Sequence, residues 1–517
     1  MKKIQELKYL YLALSLKALF ACLLISYSSI GLAPDEAQYW TWSQDLSFGY
    51  YSKPPGIAWQ IFLGTQIWGN TELGTRFASV IISFLLALAT YSLSRSCGAK
   101  HFSSLCSSIV MSFCPIGILS SFAATTDGGF ILFWILACTV FAKALSTHTK
   151  PNYISIGMLI ACGALFKWPI YILWIFILAF SLYIPHLKNK NLLTGILVSL
   201  IGFLPSILWN YSNDWSTFLH VFYTIFPQSI ENSKESFTFK GNPLEFLGAQ
   251  IGILSPLYFF FLLPALKKGL SKTQRANKAI FFCSITSVSI LALHFALSFF
   301  QKIQANWASY AYPGAIVVSC WYLTNYLPHA KRWLSIATII SLFLSLFAIS
   351  LPFIQKNDLL NPLQIPYRIN PFRHSLGWKN LQRELDKAGY DPKKHFLFSD
   401  KYQMTSILSF YGKAQKRAYF LNLHNNRKNQ FSYWPGMDTQ QLGQTGYFVL
   451  TENSSKLEDV LTERIAHYQR QLTPYFESVE FLGIKPLFWA NGHPVKGMLF
   501  FKCLNYNGLK TKSSSSY

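Results

Sequence analysis

The stretch GLAPDEAQYWTWSQDLSFGYYSKPPGIAWQ, residues 31–60, directly follows the first hydrophobic run and decides how the chain is read. It opens on adjacent carboxylates, Asp35 and Glu36, passes through Tyr39, Trp40, Trp42, Phe48, Tyr50 and Tyr51, and closes on Lys53-Pro54-Pro55. A carboxylate pair at the mouth of a membrane span is costly unless it is hydrated or functional. Aromatic rings with a polar tip suit the bilayer interface. Pro34 followed by two acids predicts a short amphipathic helix over 35–45 lying on the membrane. On a helix Asp35 and Glu36 point about 100° apart, so the two carboxylates are expected to have different tasks.

The whole chain supports the membrane setting. Of its 517 residues, 51% are hydrophobic and 17% aromatic, and only 13% are charged, where a soluble domain carries about 25%. The net charge of +23 favours anionic partners such as membrane lipids, lipid phosphates or acidic glycolipids. Nucleic acid is set aside because much of that charge sits in short loops between hydrophobic runs. The nine cysteines show no C-x-x-C spacing and the region from 353 onward holds only Cys503, so they are read as small hydrophobes. Lys2, Lys3 and Lys8 precede the first apolar run, but Glu6 interrupts them. That run is read as a retained anchor rather than a cleaved signal, with Lys17 snorkelling to the cytoplasmic face.

Runs long enough to span fall near 9–31, 72–94, 102–122, 128–146, 152–168, 169–185, 191–210, 244–266, 279–300, 307–326 and 333–352, each of roughly span length. The fold class expected is a polytopic α-helical membrane protein of about 11–13 transmembrane helices, with a C-terminal α/β domain on the outer, periplasmic side. Residues 1–352 form the transmembrane domain, with an outer loop at 31–76, and 353–517 the soluble domain. With a cytoplasmic N-terminus, one set of loops carries thirteen Lys and Arg, and the opposite set carries six: Lys53, Arg76, Lys167, Lys234, Lys240 and Lys302. The positive-inside rule then puts Asp35, Glu36, Lys53, Asp127, Lys167, Asn306 and Trp307 on one face, the outer one. In the tail, 395–400, 417–423 and 446–450 read as strands, 403–411 and 457–472 as helices, and 478–489 with 496–503 as a hairpin. The final SSSSY reads as disordered.

Several residues have both a functional and a plain reading. Asp35 suits a general base for sugar transfer to a hydroxyl, or a helix cap after Pro34. Glu36 suits orientation of the acceptor or of a metal, or a solvent-facing position. Lys53, a compact ammonium held by two prolines, suits a lipid-linked phosphate, or headgroup snorkelling. Asp127, in Thr125-Thr126-Asp127, suits pairing with Lys53, or a cap. Lys167 interrupts an apolar run, which is a functional signal by default, or marks an interfacial loop. Arg76 suits a further phosphate contact. Tyr39, Tyr50 and Tyr51 suit sugar binding or an aromatic belt.

Asp35-Glu36, Tyr39 and Lys53-Pro54-Pro55 together resemble the type C membrane glycosyltransferases, specifically the bacterial aminoarabinose-transferase and protein-mannosyltransferase-like branch. Thr125-Thr126-Asp127, Phe166-Lys167-Trp168-Pro169, ANWASYAYPG (305–314), SDKYQMTSILSFYG (399–412) and NNRKNQFSYWPG (425–436) extend the resemblance over nearly the whole chain. It implies a second acidic site at Asp127, a Lys167 facing the donor phosphate, and a cavity lined by Asn306 and Trp307. Two positions depart from the branch: Ser52 stands where an acid often precedes the lysine, and Gln38 where an arginine is common. Ser52 removes one potential ligand for the divalent cation that the family allows, and no other cofactor is implied. The expected activity is inverting transfer of one sugar from a polyprenyl-phosphate donor to an outer-side acceptor, lipid A or lipopolysaccharide, in a bacterial inner membrane. A protein or other glycan acceptor, or a lipid-linked sugar flippase, are the alternatives.

Overall fold

The structure is a computed structural model in which residues 2–225, 241–272, 277–360, 365–452 and 459–511 are described. Lys234 and Lys240 of the set of six, and Arg275 of the set of thirteen, lie outside them, as do the start of the helix expected at 457–472 and the SSSSY end. Every apolar run expected to span is helical, yet not every run is a straight span. Among the described residues six helices are long and apolar enough to cross a membrane, or up to eight if two bent pairs are counted. The bends fall where prolines remove a backbone donor. His101–Phe113 and Pro115–Phe122 meet at 62°, and Pro243–Leu254 and Pro256–Gly269 at 104°. The runs expected at 152–168 and 169–185 are the short apolar helices Tyr153–Ala164 and Trp168–Tyr183, and 307–326 starts as a 3-10 helix before Tyr312–Tyr326. Hydropathy registers the apolar run and not the break within it, which is why eleven runs give fewer full-length spans.

Lys17 does not snorkel. Its ammonium turns inward at the first bend and donates to Ser83 Oγ (2.9 Å), Ser112 O (2.8 Å), Ser112 Oγ (3.1 Å) and Gly117 O (2.8 Å). The helix ending at Phe113 leaves its last carbonyls without helical partners, and in an apolar surrounding these need a donor.

The helix expected over 35–45 forms as Pro34–Ser43. It does not lie on the membrane: Glu36 to Ser43 are all buried. Trp40 meets Phe410 edge-on at 5.0 Å and 90°, and Trp42 stacks on Tyr50 at 4.7 Å and 6°. The covering element is Tyr402–Tyr411, so the aromatic run, Phe48 excepted, belongs to a protein core rather than a lipid belt.

The C-terminal region is a five-stranded sheet: β1 (His395–Ser399), β2 (Tyr419–Phe420), β3 (Thr445–Glu452), β4 (Phe476–Ala490) and β5 (His493–Tyr506), in the order β2-β1-β3-β5-β4. β1 is parallel to β2 and β3, while β5 runs antiparallel to β3 and β4. The strand expected at 417–423 shrinks to two residues at the sheet edge. Alternate residues of a strand face opposite sides, and both faces here are covered. Tyr447, Val449, Met498 and Phe500 join one core with Leu32, Trp40, Trp42, Tyr50 and Ile57 of the outer loop. Phe448, Leu450, Leu499, Phe501 and Cys503 join another with Tyr468 and Leu472 of helix Asp459–Leu472. The division at 352/353 therefore separates elements that share a core.

Phe410→Ala should destabilise the whole protein by roughly 3–5 kcal/mol, the cost of emptying an aromatic core position. A fall in the thermal midpoint of the detergent-solubilised protein, seen alike in the membrane helices and the sheet, is the expected result. A change confined to the C-terminal region would contradict the shared core.

Candidate active site

Glu36 and Arg76 form a buried bidentate pair: Nε donates to Oε1 at 2.8 Å and Nη2 to Oε2 at 2.6 Å, with the side chains 5% and 3% exposed. Each is further committed. Glu36 accepts from the backbone N–H of Ala33 and of Ala124, both at 2.8 Å. Arg76 donates to Gly31 O at 2.7 Å. The pair therefore joins the start of helix Pro34–Ser43, the second apolar helix Glu72–Ser96 and the approach to helix Thr126–Thr147. Neither end is free to meet a substrate, so the roles of acceptor orientation for Glu36 and phosphate contact for Arg76 do not fit this geometry.

Asp35 points the other way, as the helical spacing requires. It is exposed at the surface of the site and, among the described residues, makes no hydrogen bond that would mark it as a cap. Partial desolvation raises its carboxyl above the ordinary value, opposed by Lys53 and Arg427. Lys53 is set by a tight turn in which Tyr50 N donates to Lys53 O at 3.1 Å. Burial, with Lys167 nearby, pulls its ammonium down to about 8, against the pull of Asp127 and Asp35. Asp127 is not a cap either: Thr125 precedes the helix and no side-chain cap bond forms. Its expected partner was Lys53, but its carboxylate takes the ammonium of Lys167 and the Asn306 amide, the latter at 2.7 Å. Lys167 sits between two short helices, where a donor can reach across to the next helix start. The Lys53 ammonium is thereby left, among the described residues, with no hydrogen-bonded partner.

The C-terminal region supplies Arg427, Tyr402 and His220's partner contact. Arg427 Nη1 lies 3.4 Å from His220 Nδ1 and bonds the Tyr402 hydroxyl. Burial, Arg427 and Lys53 hold His220 down to about 4, so its imidazole is neutral and accepts. Arg427 and Tyr402 lie in the segments 425–436 and 399–412, but the sequence alone assigns neither of them a role. No local signal separates Arg427 from its neighbour Lys428, because the loop reaches the outer helix only through tertiary docking. That docking is polar as well as apolar: Tyr51 N donates to Gln430 Oε1 at 2.7 Å and Leu32 N to Tyr411 Oη at 2.6 Å.

Asp35, Lys53, Asp127, Lys167, Asn306 and Arg427 thus gather in one place, with three cations to two carboxylates. Tyr50 and Trp307 fall elsewhere, while Tyr39 and Tyr51 border the site. Tyr50 is fully buried, stacked on Trp42 and bonded to Trp42 O and Asp45 O. Tyr39 packs on Trp42 at 5.0 Å with Asp35, Asp127 and Tyr402 within electrostatic reach, and Tyr51 packs at 4.9 Å on His220, the neighbour of Arg427. Trp307 packs against the small cluster of Phe246, Ile303 and Ala308, not in the polar site. The donor set does not suit a resident divalent cation. Glu36 and Asp127 have spent their oxygens on cations and amides, which leaves Asp35 alone. Among the described residues no group of three or more His, Cys, Asp or Glu is placed to hold a metal.

The comparisons fall on these same features. The family model for dolichyl-phosphate-mannose-protein mannosyltransferases matches residues 52–209, from the residue before Lys53 through Asp127 and Lys167. A lipid A galacturonosyltransferase, RgtD of Rhizobium johnstonii, is 25% identical over 320 residues, 61% of this chain. The match spans 65% of that relative's own length. The structure superposes on ArnT of Cupriavidus metallidurans bound to undecaprenyl phosphate with a TM-score of 0.61 at 13% identity, covering 95% of this chain and 97% of that one. Its apo form gives 0.59. The chain has the fold of these ArnT structures, and in sequence it is similar to the mannosyltransferase family model and to the lipid A galacturonosyltransferase.

Removing one partner of a buried ion pair costs about 3–5 kcal/mol, so Glu36→Ala and Arg76→Ala should each fold poorly, with a large drop in thermal midpoint. Asp35→Asn should melt within roughly 0.5 kcal/mol of the wild type, as surface substitutions do. Equal loss of stability in Asp35→Asn and Glu36→Ala would contradict the division of labour between the two acids.

Proposed function

We propose that this protein, a chain of the aminoarabinose-transferase and protein-mannosyltransferase-like kind, is an integral-membrane glycosyltransferase. It moves one sugar from a polyprenyl-phosphate donor to lipid A or another part of lipopolysaccharide, at the periplasmic face of a bacterial inner membrane. The observation that carries the reading is Asp35, the one carboxylate of the site left uncommitted among the described residues, set beside Lys53, whose ammonium has no described hydrogen-bond partner. The undecaprenyl phosphate bound by the structurally similar ArnT and the lipid A named for the similar RgtD support the two substrate classes.

The chemistry follows from the charges. The acceptor oxygen attacks the anomeric carbon from the face opposite the phosphate, the bond from that carbon to the phosphate oxygen breaks, and the sugar is inverted. Asp35 takes the proton of an acceptor hydroxyl, which its raised carboxyl value favours. Where the acceptor is itself a phosphate it is already ionised, and Asp35 orients it. Lys53 and Arg427 face the departing polyprenyl phosphate and stabilise the charge that grows on it. Lys167 and Asn306 hold Asp127, which tempers the positive field around Lys53 without filling it. Glu36 and Arg76 are positioning residues that hold Asp35 at the site.

Lipid A from cells carrying the wild-type chain should show an added mass of one sugar that is absent from a deletion strain and from Asp35→Asn, measured by mass spectrometry. Restoration by Asp35→Asn equal to the wild type would remove Asp35 from the reaction. No lipid A difference between wild type and deletion would remove lipid A as the acceptor.

The pH profile of transfer to a hydroxyl acceptor should be bell-shaped. Activity rises as Asp35 loses its proton, above the usual carboxylate range, and falls as Lys53 loses its own near pH 8. Lys53→Arg stays charged at every accessible pH, so it should carry the alkaline limb upward while leaving the acid limb in place. An unmoved alkaline limb would free Lys53 of that role.

A further inference from the structure

A second cavity, of about 700 Å³, lies between the outer loop and the C-terminal sheet. It is lined by Arg368, Arg373, His374, Lys401 and Lys496, with Trp378 among them, and by no Asp or Glu among the described residues. None of its four Lys and Arg side chains forms an ion pair with a described residue. Lys496 is 7% exposed. Its ammonium lies 3.5 Å from the centre of the Trp378 ring and donates to Leu376 O at 2.8 Å. Burial without an anion pulls it down to about 7. Buried cations are ordinarily paired, and this one meets only a ring and carbonyls.

The cavity shares a wall with the active site. Pro34, which lines it, precedes Asp35, and Lys401 and Gln403, which line it, flank Tyr402, which bonds Arg427. Successive residues at a helix start point in different directions, so one helix end serves both spaces. A volume of this size suits a molecule of many atoms rather than a single ion, and its Lys and Arg side chains suit phosphate oxygens.

We propose that this basic cavity binds the phosphate-bearing saccharide head of the glycolipid acceptor and anchors it while its reacting oxygen lies at Asp35. The proposal rests on the transferase reading above and adds to it the place where the acceptor is held.

The test uses the full chain in lipid nanodiscs, with bis-phosphorylated lipid A, dephosphorylated lipid A, farnesyl phosphate and inorganic phosphate as probes. The wild type is compared with Arg368→Gln/Lys401→Gln. Both positions are exposed, and neither side chain makes a hydrogen bond among the described residues, so the variant should keep its thermal midpoint. The wild type should bind phosphorylated lipid A at least tenfold more tightly than the dephosphorylated form. The variant should lose that preference while binding farnesyl phosphate unchanged. If the variant keeps the preference, the cavity is not the anchor, and the transferase reading stands. If the wild type binds farnesyl phosphate but neither lipid A, the lipid A acceptor itself is wrong and the proposal falls with it. If millimolar inorganic phosphate displaces lipid A completely, the cavity takes a free anion and not a glycolipid head.

Discussion

The pair between Glu36 and Arg76 is the constraint on which the arrangement depends. An arginine and a glutamate taken fully out of water are stable together only when every remaining donor and acceptor is met. Here the glutamate also takes two backbone N–H groups and the arginine a backbone carbonyl. Those extra bonds tie the first outer helix, the second apolar helix and the segment before Thr126 into one unit. Because Glu36 faces inward, its neighbour Asp35 is turned by the helical angle toward the open site. The exposed acid is held in place by the hidden one.

The electrostatics of the site then follow by elimination. Asp127 binds Lys167 and Asn306, so among the described residues Lys53 has no carboxylate of its own. A cation that is half buried and unpaired is poised for an incoming anion, and Arg427, brought from the C-terminal region, adds a second. The sheet region is therefore part of the site and not an appendage. The same docking that sets Arg427 beside His220 also buries Trp40, Trp42 and Tyr50, and leaves the basic cavity of Arg368, Lys401 and Lys496 along the seam.

Much of this was legible in the residues, and the failures share a cause. The order of acid pair, aromatics and Lys-Pro-Pro marked the outer loop, and strand periodicity located β1, β3, β4 and β5. A Trp–Tyr run reads alike whether lipid or another protein layer covers it, so the sequence places on the membrane a helix that the structure buries. A lone lysine in an apolar run reads as snorkelling, because the sequence does not show the broken helix whose carbonyls receive Lys17. Both Lys53 and Lys167 lie far from Asp127 in sequence, so the sequence does not separate the true partner, Lys167, from the other.

What the sequence determined by itself is what composition, periodicity and the order of polar interruptions encode: a membrane protein with a polar site at one end of its apolar helices, an α/β region after them, and the acids and lysines that gather there. What only the tertiary structure decided is which charge meets which. Partners such as Glu36 with Arg76, Asp127 with Lys167 and Tyr402 with Arg427 are 25 to 40 residues apart. An electrostatic contact depends on distance and burial in three dimensions, and neither is a property of neighbours along a chain.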